Sequence, residues 1–260
     1  MVVGLATCMN AVMQKVHVLQ FGIFSPAERV TAAKVARKAC SRRSEHWKPH
    51  QTFATNVDST LETIAATQTW FETVVIGEKL CPFAPPLLQN DGQALRIVAS
   101  KSTNEEQAVK EVEAEANLLI GTDSSTPQSP RPETTLLVMN APFVQDFRDF
   151  VRLSWTLQEN AILQNNLVEK LQLVLFHPLA THQTYAATEE ANPGDYTIRS
   201  PYPTIHLLRQ EDVMRAMSGG YPDLQSLPAR NQARLISQGL EACKSRLEQC
   251  YRNDYNDKIS

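Results

Sequence analysis

The stretch TTLLVMNAPFVQDFRDFVRLSWTLQENAILQNNLVEKLQLVLFHP, residues 134–178, holds the pattern on which the fold turns. It opens with TTLLVM (134–139) and closes with LQLVLF (171–176), two apolar runs of strand length that lack the polar alternation of a half-exposed sheet. Between them Pro142 stands near the start of a helical segment whose Phe143, Phe147, Phe150 and Val151 share one side. Strand, helix and strand with apolar strands reads as a parallel pair joined by a right-handed crossover, because parallel neighbours need a connection of helix length.

The same grammar extends in both directions. LRIVA (95–99) is a short β-branched strand, and Ser102 with Glu105 makes a capping box before a helix faced by Val109, Val112, Ala116 and Leu119 and closed by Gly121. DSTLETIAATQTWFETVVIGEKL (58–80) repeats that signature: Ser59 and Glu62 form the box, Leu61, Ile64, Phe71, Val74 and Val75 form the stripe, and the helix ends near Gly77. TDSSTPQSPRPE (122–133) is a surface loop. Downstream, IHLLR (205–209) is a fourth strand or an extended segment, and EDVMRAM (211–217) a short helix. ARNQARLISQGLEACKSRLEQCYR (229–252) is a closing helix with Ile236, Leu240, Cys243 and Leu247 on its packing face. The expected fold class is α/β: one domain over 58–252 with a mainly parallel sheet flanked by helices, after a basic leader at 1–57 and before a tail at 253–260. No internal repeat and no second core is visible.

Composition limits the function classes. Of 260 residues 42% are apolar, enough for a proper core, and 20% are charged, which argues against wholesale disorder. Residues 1–57 carry eight Lys or Arg against Glu28 and Glu45, an excess of six positive charges, so at −3 overall the rest of the chain carries −9. An acidic body does not suit nucleic acid, whose phosphates call for clustered cations. The leader, with AERVTAAKVARKACSRRSEHWK at 27–48, is Ala-, Ser- and Arg-rich and acid-poor, the composition of a transit peptide to a plastid or mitochondrion. The alternative is a disordered basic arm on a cytoplasmic protein. No apolar run approaches the roughly 20 residues that cross a bilayer. Outside the leader stand Cys81, Cys243 and Cys250, an odd number without CxxC spacing, which favours reduced thiols. Cys243 and Cys250 lie about 10.5 Å apart along a helix and read as small core residues.

In open parallel sheets ligands gather beyond the carboxyl ends of the strands. Those positions here are Ser100 and Lys101, then Asn140, then His177. Asn140, just before Pro142, also suits a helix cap. His177, in FHP, is a titratable ring fixed by the following proline. The chain then runs into NPGDYTIRSPYPTIHLLR (192–209), where Pro201 and Pro203 stiffen the backbone around Arg199, Tyr202 and His206. Arg199 and Arg209 each offer a planar fork to a carboxylate or phosphate, and His177 with His206 could act as an acid–base pair or as metal ligands. The plainer reading is a rigid loop whose arginines pair with Asp195 and Glu211. In KLCPFAPP (79–86), Cys81 follows a helix C-terminus, where the dipole disfavours thiolate, so packing ranks before metal ligation and nucleophilic attack last.

WFETVVIGEKLCPFA, LVLFHP and RSPYPTIHLLR, in this order, resemble the bacterial and plastid-lineage proteins grouped as domain of unknown function 1415, over about residues 60–217. The resemblance implies a single domain whose signature positions are Cys81, Pro82, Phe83, His177, Pro178, Arg199, Ser200, Pro201, Tyr202, Pro203, His206 and Arg209. After His177 this chain departs from the family's shorter pattern, so His182 and Tyr185 are not carried over. The resemblance supplies positions and no chemistry, and cofactor, metal and oligomeric state stay open. GxGxxG, Walker A, HExxH and GxSxG motifs are missing. The leading expectation is a small-molecule enzyme with His177 and His206 as catalytic groups and Arg199, Tyr202, Arg209 and Asn140 binding an anionic substrate. The alternative is a non-catalytic binding or assembly module using the same Pro-rich loop.

Overall fold

Six helices and a four-stranded sheet are formed by residues 57–89, 93–121, 132–182, 192–218 and 224–251, the residues that the computed structural model describes. The leader through residue 56, most of the 122–133 loop, Tyr185 and the tail lie outside the described residues. Helix α1 covers Val57–Trp70 and widens into a π-helical turn over Phe71–Ile76. It begins ahead of Ser59, so the capping box expected there is not its start, and it ends at Gly77 as the sequence indicates. A Cβ on Gly77 would run into the carbonyl oxygen of Thr73, which explains the glycine.

Strand β1 is Leu95–Ala99 and helix α2 is Glu105–Ile120. The cap of α2 is Asn104, whose side chain accepts from the Gln107 N–H at 3.0 Å, rather than Ser102. The Ser102 hydroxyl instead donates to the Glu111 carboxylate at 2.5 Å. Gly121 closes α2 at φ 72°, in the left-handed region. The buried face is Ala108, Val112, Ala116 and Leu119. Strand β2 is Thr134–Val138, followed by a 3₁₀ turn at Pro142–Val144 and by helix α3, Phe147–Thr156, which a π-helical turn extends through Leu163. Asp146, and not Asn140, caps α3, accepting from the Arg148 N–H at 2.7 Å. Strand β3 is Leu171–Phe176 and β4 is Thr204–Arg209.

The sheet order is β1-β2-β4-β3. Only β1 and β2 pair in parallel, while β4 pairs antiparallel with both β2 and β3. The sheet is therefore mixed, which corrects the expectation of a mainly parallel one. The crossover through α3 is present, but it skips one strand position, and the chain returns after β3 to fill the gap with β4. A strand between two neighbours and covered on both faces is shielded along its length, as Thr204–Arg209 is: every residue but Leu208 is buried, although Thr204, His206 and Arg209 are polar.

Two apolar layers flank the sheet. One packs Leu137, Leu173, Ile205 and Leu207 against Val112, Leu119, Phe150 and Leu157 of α2 and α3. The other sets Leu95 and Leu136 against Trp70, Phe71 and Val74 of α1 and its π-helical turn. Helix α4 is Gln210–Ser218. The expected single closing helix is two, α5 (Leu227–Gln238) and α6 (Leu240–Gln249), broken at Gly239 with φ 88°. The break rotates the packing face: Leu235 and Cys243 are buried, and Ile236 is exposed. No helix among the described residues is long and apolar enough to cross a membrane.

Candidate functional site

Because β4 runs against β1–β3, its start lies beside their ends. Thr204 pairs with both Val138 and Phe176, the last residues of β2 and β3. The segment 192–203 therefore crosses the edge of the sheet where Ser100, Asn140 and His177 emerge. Its path is pinned by internal bonds. Asn192 caps a 3₁₀ turn at Pro193–Thr197. The Ser200 and Thr204 hydroxyls donate to the Tyr202 carbonyl at 2.6 and 2.8 Å, the Tyr251 hydroxyl donates to the Pro201 carbonyl, and the His177 N–H donates to the Ile198 carbonyl at 3.2 Å. The proline-braced turn and the imidazole leaving β3 are thus neighbours.

His177 is 1% exposed, with its ring between those of Phe147 and Phe150, each centroid at 5.3 Å. Its Nδ1 accepts from the Leu179 N–H at 3.0 Å, so the ring proton sits on Nε2 and is donated to the Val144 carbonyl at 3.0 Å. Burial pushes its pKa down to about 4, against the opposing pull of the Val144 bond. Both nitrogens are engaged and the ring is neutral at physiological pH.

His206 occupies the middle of β4, opposite Leu136 and Val174. Side chains alternate along a strand, so with Ile205 and Leu207 in the α2/α3 layer His206 faces the α1 layer, where its ring lies 6.2 Å from that of Phe176. His177, against Phe150, lies on the other side of the sheet. The structure does not bring the two imidazoles together, and no shared proton transfer or shared metal fits this arrangement. The Thr134 hydroxyl donates to the Leu207 carbonyl at 2.8 Å and receives the Nε2–H of His206 at 2.6 Å. That leaves Nδ1 as a buried acceptor with no partner among the described residues. Burial holds this ring, too, at about 4.

The polar groups that do converge are Arg199, Asp195, His182 and Thr197. Arg199 donates from Nε to the Ala180 carbonyl at 3.0 Å, stacks over the Tyr196 ring at 4.7 Å, and places Nη2 4.0 Å from the Asp195 carboxylate. Asp195 is 3% exposed and accepts the His182 N–H at 2.8 Å. His182 Nε2 meets the Thr197 hydroxyl oxygen at 2.7 Å, and burial lowers the pKa of its ring despite Asp195. Asp195 and Thr197 were not singled out as candidate ligand groups from the sequence, since only the chain's path around Arg199 gathers them.

The remaining candidates lie apart. Tyr202 packs edge-on to Tyr251 at 5.6 Å, and burial raises the pKa of its phenol despite a bond to Thr63. Asn140 is exposed beyond β2. Arg209 pairs with Leu171 at the opposite end of the sheet and is held by Asp212, with Glu211 at 3.8 Å. Cys81 borders the α1 layer, and burial pushes its thiol up although the Phe83 and Ala84 N–H groups favour the thiolate. Among the described residues no three His, Cys, Asp or Glu side chains are grouped to share a metal ion.

No curated protein and no solved structure matches the chain. Residues 62–245 match the family described as protein of unknown function (DUF1415), a span that holds the cysteine turn, both buried imidazoles and the proline-braced segment. On that match across most of its length, the chain belongs to the DUF1415 family.

Proposed function

We propose that the protein is a non-catalytic binding module that takes a small anionic molecule on Arg199 at the end of the sheet. The observation that carries this reading is how the guanidinium is held. Its guanidinium carbon lies 4.7 Å over the Tyr196 ring and its Nε is tied to the Ala180 carbonyl, while Asp195 pairs with the terminal nitrogen at 4.0 Å by charge, too far for a hydrogen bond. A planar fork already ordered loses little entropy on meeting a carboxylate or phosphate. An enzyme working through His177 and His206 is less well supported. A general acid or base works best with a pKa near the working pH, and both imidazoles are held at about 4.

The test is calorimetric titration of the full chain with citrate, inorganic phosphate and a phosphorylated sugar. Binding of at least one probe should weaken about tenfold or more in Arg199→Lys, which keeps the charge and loses the fork. Arg209→Lys, altered at the other end of the sheet, should bind as the unmodified chain does. Equal affinity in Arg199→Lys would overturn the assignment.

A further inference from the structure

Strands inside a sheet bond on both sides, so what a sheet leaves open is found on its two edge strands, here β1 and β3. Two bonds fix which way the backbone of β1 faces. The Thr134 N–H donates to the Ala94 carbonyl at 3.1 Å, and the Ser100 N–H donates to the Val138 carbonyl at 2.7 Å. The even-numbered residues of β1 therefore bond to β2, and the N–H and C=O groups of Leu95, Ile97 and Ala99 point away from the sheet. These outward groups have no hydrogen-bond partner among the described residues. Exposure agrees: Arg96 is exposed and Ile97, Val98 and Ala99 are half-buried, whereas β2 is buried throughout.

The opposite edge is closed by its own chain. The Gln210 N–H donates to the Lys170 carbonyl at 2.8 Å, so the even-numbered residues of β3 face β4. On its outer side the Leu171 N–H donates to the Leu167 carbonyl at 2.9 Å, and the N–H of His177, just past the strand, donates to the Ile198 carbonyl at 3.2 Å. Only Leu173 and Leu175 are left between these ties. β1 has none of the devices that block an edge. It contains no proline, its register with β2 runs without a bulge, and its one charge, Arg96, is held by the Glu115 carboxylate of α2 at 2.8 and 3.0 Å.

We propose that β1 is the pairing surface for a second copy of this chain, the two β1 strands lying antiparallel about a two-fold axis that passes between their Ile97 residues. The edge matches itself. Leu95 meets the partner's Ala99, Ile97 meets the partner's Ile97 and Ala99 meets the partner's Leu95, each an outward-facing pair able to exchange both of its hydrogen bonds. An axis perpendicular to the sheet keeps like faces together. Leu95 and Ile97, which belong to the α1 layer, then continue into the same layer of the partner, and Val98 continues the α2/α3 layer. In this register Arg96 stands opposite the partner's Val98. A slip of two residues toward the start of the strand would set the two arginines face to face and is disfavoured by their charge. The pairing does not rest on the reading of Arg199, and Arg199→Lys should leave it unchanged.

Sedimentation of the full chain between about 1 and 100 μM should show a monomer–dimer equilibrium. Ile97→Pro removes an N–H that the single chain does not use, a change an edge strand tolerates, and should weaken the dimer about tenfold or more. Ile97→Val, which keeps that N–H, should pair as the unmodified chain does. Ala99→Pro repeats the test should Ile97→Pro not fold. A mixed sample of ¹³C-labelled and unlabelled chains gives the register: Arg96 Hα should show an intermolecular contact with the partner's Val98 Hα, whose Cα atoms are about 4.5 Å apart in such a pair, against about 7 Å between residues 96 and 98 within one strand. Should neither proline variant fold, this contact decides alone. The proposal is overturned if the chain stays a monomer over that range, if a folded proline variant pairs as tightly as the unmodified chain, or if the intermolecular contact is missing from the dimer.

Discussion

Acid should unfold this protein through its two interior imidazoles. Each is held at about 4 in the folded chain, against 6.5 for an ordinary histidine. Below pH 6.5 the unfolded chain takes up a proton at each position, and the folded chain does not until the pH nears 4. In that window the unfolded state binds more protons, so stability drops as the pH drops. The slope is about 1.4 kcal/mol per pH unit for each imidazole, and between about pH 7 and pH 5 it integrates to about 2 kcal/mol per residue. The two rings lie on opposite sides of the sheet and share no partner, so the effects add to about 4 kcal/mol, a large share of the roughly 5–15 kcal/mol that holds a domain folded. Urea unfolding at a series of pH values reads this directly. His206→Leu should flatten the dependence of stability on pH between 6.5 and 4 by about 1.4 kcal/mol per unit, and His177→Gln should do the same. Groups that interact with neither imidazole contribute equally to every variant and cancel in the comparison. Slopes unchanged in both variants would refute the reasoning.

Other outcomes follow from single contacts. His177→Ala should cost about 3 kcal/mol in chemical unfolding, since it opens a cavity between two phenylalanine rings and strands the Leu179 N–H. Asp146→Ala should cost about 1 kcal/mol by loss of the α3 cap, measured the same way. Gly239→Ala should cost about 1–2 kcal/mol although its surroundings are open, because φ 88° strains any side chain, and thermal unfolding will register it. Cys81 in the native chain should alkylate more slowly at neutral pH than a free thiol, as peptide mapping after a timed iodoacetamide pulse will show, because burial raises its pKa.

Much of the architecture was legible because local signals agreed. LRIVA and LQLVLF are strands over the residues read, and TTLLVM differs by one, since each is an apolar run bounded by polar loop. Pairing was not legible. TIHLLR reads the same whether parallel or antiparallel, and its place between β2 and β3 is set by the path of 192–203 across the sheet edge. Gly239 reads as a tolerable glycine within a helical pattern, and only its positive φ shows that two helices meet there. The meeting of His177 with the proline-braced turn could be foreseen, as both belong to one edge. The separation of His206 from His177 could not, because period-two alternation assigns faces only once pairing is known. Thr134 had no sequence signal beyond its place at the start of a strand.

The late arrival of β4 sets the order in which this protein can be assembled during synthesis. When the first 200 residues have left the ribosome, β1, β2 and β3 exist as sequence, yet β2 and β3 have no hydrogen bonds to exchange with each other, for their common neighbour is still unmade. The nascent chain thus carries bare strand edges, the surfaces by which incomplete sheets stick to one another, until residues 204–209 slot between them. Premature termination anywhere before that hexapeptide yields not a smaller domain but an aggregation hazard.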